Sequence, residues 1–180
     1  MRAERVLRSV VNVFIGSSGG SGRPYRAPLA KGEAVKMTAQ ENVDEFIEQF
    51  DLAQGELLKG NPEPVKKCYS HRQDVTLGNP FGPFVRGWEQ VGAVVDHAAS
   101  QLRDGEMVDG ETVTRYVTPD LAYLVRVERS QAKVGGQGAV SPVSLRATMI
   151  MTREDGGWKI VHRHADPITT ARPAVSVIQQ

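Results

Sequence analysis

The sequence is nearly without cysteine. Its single thiol, Cys68, leaves no internal disulfide to form, so nothing in it asks for an oxidising compartment. It also lacks an apolar run long enough to span a bilayer. The stretch from Val6 to Ile15 is interrupted by Arg8, Ser9 and Asn12, and no small-residue cleavage site of the usual kind follows it. No membrane partner is expected, and the expected location is cytoplasmic. No glycine-rich loop suits a phosphate: Gly135-Gly-Gln-Gly138 joins two strands and opens no helix. No serine-nucleophile motif is present. Net charge is small, +1, and unevenly spread. Residues 1–40 carry seven basic and two acidic side chains, and the remainder carries 15 basic and 19 acidic. The larger part is therefore mildly acidic, which argues against a nucleic-acid-binding core.

The 180 residues suffice for one domain with a core of its own. Gly16-Ser-Ser-Gly-Gly-Ser-Gly22, with Pro24 and Pro28 after it, has linker composition. The expected organisation is a flexible basic tail over 1–37, one domain over 38–167 and a short tail over 168–180, with Met37 an alternative start. Thr38-Ala-Gln-Glu41 has capping-box spacing. Val43, Phe46, Ile47, Phe50, Ala53 and Leu57 then recur at helical spacing and predict a long first helix that Gly60 ends. Asn61-Pro62 opens a short second helix through Val65, Cys68 and Tyr69. Asp74–Gly78 predicts a short strand, which Asn79-Pro-Phe-Gly-Pro83 breaks. Trp88, Val91, Val94, Val95, Ala98 and Leu102 make the stripe of a third helix. After Gly105 the period becomes two, with strands expected over Met107–Val117, Leu121–Arg129, Pro142–Arg153 and Trp158–Asp166. Helices followed by antiparallel strands is α+β organisation.

Two stretches carry a resemblance. Asp74-Val-Thr-Leu-Gly-Asn-Pro-Phe-Gly82 resembles the strand-to-loop segment of ketosteroid isomerases. Thr152-Arg-Glu-Asp-Gly-Gly-Trp-Lys-Ile-Val-His-Arg-His164 resembles the closing hairpin of SnoaL-like proteins and of the calcium/calmodulin-dependent kinase II association domain. Both belong to the nuclear transport factor 2-like superfamily. The resemblance implies a cone, in which a curved antiparallel sheet wraps three N-terminal helices around an apolar cavity. It also implies a homodimer through the sheet and a small apolar or carbonyl-containing ligand. No cofactor is implied. One fold here hosts isomerases, cyclases, dehydratases and assembly modules, so function has to be argued from the site.

The resemblance locates the candidate residues and also departs from its models. Asn79 stands where the isomerases carry a proton-moving aspartate, and an amide is no general base, although it can hydrogen-bond a carbonyl. The isomerase tyrosine falls near Ala53 and its later acid near Ile150. The two pocket arginines of the kinase domain fall on Met149 and Ala165. On the last strand, strict alternation puts Trp158, Ile160, His162, His164 and Asp166 on one face and Lys159, Val161, Arg163 and Ala165 on the other. The kinase analogy turns the second face inward. Val161, Ala165 and Met149 then line the cavity, and Arg163 is the one charge pointing in, suited to a carboxylate or enolate oxygen. If the first face is inward instead, His162 or His164 is the acid/base candidate. The trio His162, His164 and Asp166 has no fourth ligand, and no metal is expected. Tyr69 and Trp88 are ligand-stacking candidates. Asn79, Arg163, His162 and His164 are the catalytic candidates for proton transfer next to a carbonyl, with a non-catalytic homodimeric binding or assembly module as the alternative. Proton transfer requires a titratable side chain on the cavity wall within reach of Asn79 or Arg163. A wall of Met149, Val161, Ala165 and aromatics alone leaves only binding.

Overall fold

The computed structural model describes residues 39–135 and 138–178. The capping residue Thr38 lies outside them. Helix α1 (Ala39–Leu58) buries Val43, Phe46, Phe50 and Ala53 along the expected stripe. Gly60 ends it at φ 93°: its N–H donates to the Leu57 carbonyl, and the Asn61 N–H reaches back to that of Glu56. A left-handed residue is what this double closure needs. Helix α2 (Glu63–Cys68) follows, and the Asn61 side chain accepts from the Glu63 N–H at 3.3 Å.

Strand β1 (Thr76–Gly78) is shorter than predicted and forms a hairpin with β2 (Val85–Arg86), a strand too short for its periodicity to be read. Helix α3 (Trp88–Ser100) starts at Gly87 and stops before Leu102, which already belongs to β3 (Leu102–Val117). Gly105 therefore lies inside a strand and does not break it. Asp104 has φ 54°, and a Cβ on Gly105 would sit 2.7 to 2.8 Å from Gln131, Ala132 and Leu58. Close packing onto α1 and β4 (Leu121–Val134) requires the glycine there. Three register shifts between β3 and β4 accompany this bend. Such irregularities twist and curve a sheet.

Strands β5 (Ser141–Glu154) and β6 (Gly157–Asp166) complete the curved sheet, in the order β2-β1-β6-β5-β4-β3. All neighbours are antiparallel except β1 and β6, which run parallel with Thr76 opposite His162 and Gly78 opposite His164. The helices pack on the concave face. Phe50, Val65, Val75, Val91, Leu124, Met149, Met151 and Ile160 form the centre of the core.

Strict alternation fails on β6. Ile160 pairs with Met151, but His162 pairs with Ile150, so Val161 is an extra residue. This bulge shifts the phase by one. Trp158 and Ile160 are buried before it, and Arg163 and Ala165 after it. His162, His164 and Asp166 share the outer face with Lys159. The two-face partition expected from the sequence is thus corrected: Trp158 and Ile160 do not share a face with the histidines.

Candidate functional site

A cavity of about 270 Å³ opens between the helices and the concave sheet face. Leu57, Leu58, Val95, Leu102, Met107 and Leu145 give it apolar walls. Of the expected residues, Asn79, Tyr69 and Arg163 line it. Met149 and Ala165 are buried in the core beside it, Val161 sits half-buried at the bulge, and Trp88 stacks on His71 with ring centroids 3.7 Å apart. None of these four is on the cavity wall. A wider surface groove of about 610 Å³ runs between α1 and the β5–β6 turn, past Phe46, Cys68 and Trp158. Its lining residue Glu56 pairs with Lys59 in the open, whereas the smaller cavity is lined by a buried charge pair.

That pair is Arg163 and Glu128. The guanidinium Nη2 donates to Glu128 Oε2 at 2.5 Å, and both side chains are buried, at 7% and 5% exposure. Glu128 reaches the cavity because β4 points Ala122, Leu124, Arg126 and Glu128 inward together. Arg163 reaches it because of the bulge at Val161. Glu128 Oε1 and Arg163 Nε are both enclosed and have no hydrogen-bond partner among the described residues. Burial opposes the arginine's charge, but Glu128 and Tyr69 outweigh that and hold its pKa above the ordinary value. Burial also pushes the Tyr69 hydroxyl up to about 12, against the pull of Arg163. Tyr69 is thus a protonated donor at neutral pH. Asn79 has its Oδ1 committed to the Phe81 N–H at 3.0 Å, which makes it the turn residue of the loop. Its amide nitrogen is left as a donor at the cavity edge.

Glu128 was missed in the sequence because β4 has apolar residues in both phases. Tyr123, Val125 and Val127 are as hydrophobic as Ala122 and Leu124, so the strand's pattern does not say which face is inner. The same ambiguity hid a second inward charge. Arg126, 1% exposed, makes two parallel bonds to Asp51 on α1, at 2.8 and 3.0 Å. Arg163 is therefore not the one charge that points in.

His162 and His164 lie across the sheet from the cavity. The His162 Nδ1 and Thr76 Oγ1 are 2.8 Å apart, and the exposed Phe84 ring covers both imidazoles at 6.1 and 5.0 Å. Gly78 makes room for that ring, since a Cβ there would stand 2.5 Å from it. Burial, then the neighbouring His164, lowers the pKa of His162. Asp166 is held by Arg146 through two hydrogen bonds of 2.8 Å.

Comparison with known proteins agrees with this architecture. Residues 66–169 match the family model described as SnoaL-like domain. No curated protein matches the chain. Among solved structures, the chain is similar to a nuclear transport factor 2-like superfamily protein from Salmonella enterica (17% identity, 78% of this chain and 97% of that one, TM-score 0.63). It is similar to a protein named for the calcium/calmodulin-dependent protein kinase II association domain from Xanthomonas campestris (21% identity, 76% and 91%, TM-score 0.60). It is also similar to a ketosteroid isomerase-like protein from Erwinia carotovora (14% identity, 72% and 96%, TM-score 0.55). At these identities the likeness establishes the fold.

Proposed function

The chain belongs to the SnoaL-like domain family, and from that premise we propose that it is a small-molecule pocket protein that moves a proton next to a ligand carbonyl. The products would be those of isomerisation, cyclisation or loss of water, with no cofactor required. One observation carries this reading: Glu128 lines the cavity, with one oxygen held by Arg163 and the other enclosed and unpartnered among the described residues. A general base must be a carboxylate or imidazole near the carbon acid. Glu128 supplies the carboxylate that Asn79 lacks. The ligand oxygen would accept from Arg163 and the Tyr69 hydroxyl, which stabilise the enolate as charge develops. The Asn79 amide would orient it. On the outer face, His162 and His164 have no part in this scheme.

The test uses 4-methylacetophenone in D₂O, with exchange of its α-protons followed by NMR. Wild type is expected to accelerate exchange, and Glu128→Gln to lose about 100-fold or more of that acceleration. Binding without acceleration would leave a binding protein only.

The second reading, a homodimeric binding or assembly module, is favoured by the outer sheet face. Tyr116, Leu121 and Tyr123 are all exposed there. Contiguous exposed apolar residues mark interaction surfaces. No helix among the described residues is long and apolar enough to cross a membrane, and the protein is taken to work in the cytoplasm as a dimer on a small ligand.

A further inference from the structure

We infer that Glu128 is a specificity residue that makes the cavity select an uncharged ligand and exclude carboxylates. This rests on the reading of the cavity as the ligand site. Arg163 alone would be an anion receptor, because a guanidinium presents donors in a fork that fits a carboxylate. One branch of that fork is already taken: Nη2 donates to Glu128, on β4, at 2.5 Å, and both partners are almost fully enclosed. The pair is neutral as a unit. A ligand carboxylate would have to displace Glu128 or lie against it, and two carboxylates close together in a buried site repel strongly.

What the pair leaves unused is different in kind. Apart from Nη2, no nitrogen of Arg163 has an acceptor among the described residues. Tyr69, buried and protonated, lines the same wall. Nε is itself enclosed, so Nη1 and the Tyr69 hydroxyl are the donors that remain, and they fit a single acceptor oxygen on a neutral molecule. The remaining wall is mainly apolar. The volume of about 270 Å³ corresponds to roughly nine waters at the liquid's share of about 30 Å³ each, which suits a compound of one or two rings. The ligand class is therefore a compact neutral carbonyl compound. Removing the charge of Glu128 should return Arg163 to anion binding.

Isothermal titration at pH 7 with two ligands of nearly the same shape decides this: 4-methylacetophenone, which is neutral, and 4-methylbenzoate, which is ionised. Wild type should bind the ketone more tightly by about tenfold or more, the scale of a single charge-assisted hydrogen bond. In Glu128→Gln, which keeps the shape and removes the charge, 4-methylbenzoate should bind more tightly than it does to wild type by a similar factor and so close the gap to the ketone. Wild type that binds the carboxylate as tightly as the ketone would overturn the inference and leave the pocket reading standing. A variant that folds and binds the carboxylate no better would overturn Glu128 as the cause. Wild type that binds neither ligand would overturn the pocket reading and this inference together. Should Glu128→Gln not fold, Glu128→Ala is titrated in its place with the same expectation, and a carboxylate bound no better than by wild type overturns Glu128 as the cause.

Discussion

A buried ion pair is costly to hold in a small domain, and the way it fails when broken shows how it is built. Taking Arg163 and Glu128 out of water costs several kcal/mol per ion, which their attraction offsets only while both are present. Arg163→Met would strand Glu128 and is expected to destabilise the fold by about 3–5 kcal/mol, read from urea denaturation. Combining it with Glu128→Leu should recover most of that loss, because neither charge is then left unpaired. Single losses that simply add would refute the coupling. The second inward charge depends on a glycine. A Cβ on Gly110 would stand only 1.5 Å from Nη2 of Arg126, so Gly110→Ala must push the guanidinium away from Asp51. The expected cost is about 1–3 kcal/mol, as for other overpacked sites, with a smaller increment in an Asp51→Asn background. Residues of this kind were only partly legible. That Arg163 points inward was anticipated from the hairpin's resemblance. Its partner was not, because either phase of β4 is hydrophobic enough to be the buried one, and charge at an inward position reads as solvent exposure until its partner from another strand is known.

At the level of elements, the long amphipathic helices and the four long strands were readable because each has a sustained period. What escaped were the local irregularities. A bulge at Val161 has no compositional mark, since valine is ordinary in a strand, yet it turns the histidines outward and changes the neighbours of every residue after it. Gly105 suggests a break and instead permits close packing. The β1–β2 hairpin is too short for any period to show. That hairpin nevertheless joins the cavity edge to the outer face: Asn79 and Phe81 line the cavity, while Phe84 covers the histidines and Thr76 meets His162. A pH dependence follows. Folding lowers the pKa of His162, so the unfolded chain binds more protons below the ordinary histidine value of about 6.5. Stability from this group is then complete above that value and is lost as pH falls through it toward the folded pKa. Melting temperature should drop between pH 7.5 and 5.5, and His162→Gln should reduce the drop. An equal drop in the variant would refute His162 as its source.

At the level of the whole molecule, the sheet has an apolar surface on both sides, and among the described residues only one is covered. The concave side holds the helices and the cavity. On the outer side Tyr116, Leu121 and Tyr123 are each more than a third exposed, and the Tyr116 and Tyr123 rings stack at 5.9 Å. Stable interfaces are centred on aromatic and aliphatic side chains of this sort, with charged groups at the rim. Here Arg129 bridges Asp109 at 2.8 Å and Glu111 at 2.7 Å at the margin. If a second copy covers this face, the interface is isologous, and each substitution acts twice in the dimer. Size-exclusion chromatography with light scattering should give twice the chain mass for wild type. Introducing Tyr116→Asp together with Tyr123→Asp should give the monomer mass, because four carboxylates would then meet across one two-fold axis. Both rings are exposed in the single chain, so loss of the dimer should leave the fold's circular dichroism spectrum in place. Ligand binding by that monomer separates the two functional readings: a pocket enclosed within one chain keeps its ligand when the dimer is lost, whereas an assembly module loses its function with the interface. A wild type that runs as a monomer would remove the sheet-face dimer and, with it, the main support for the assembly reading.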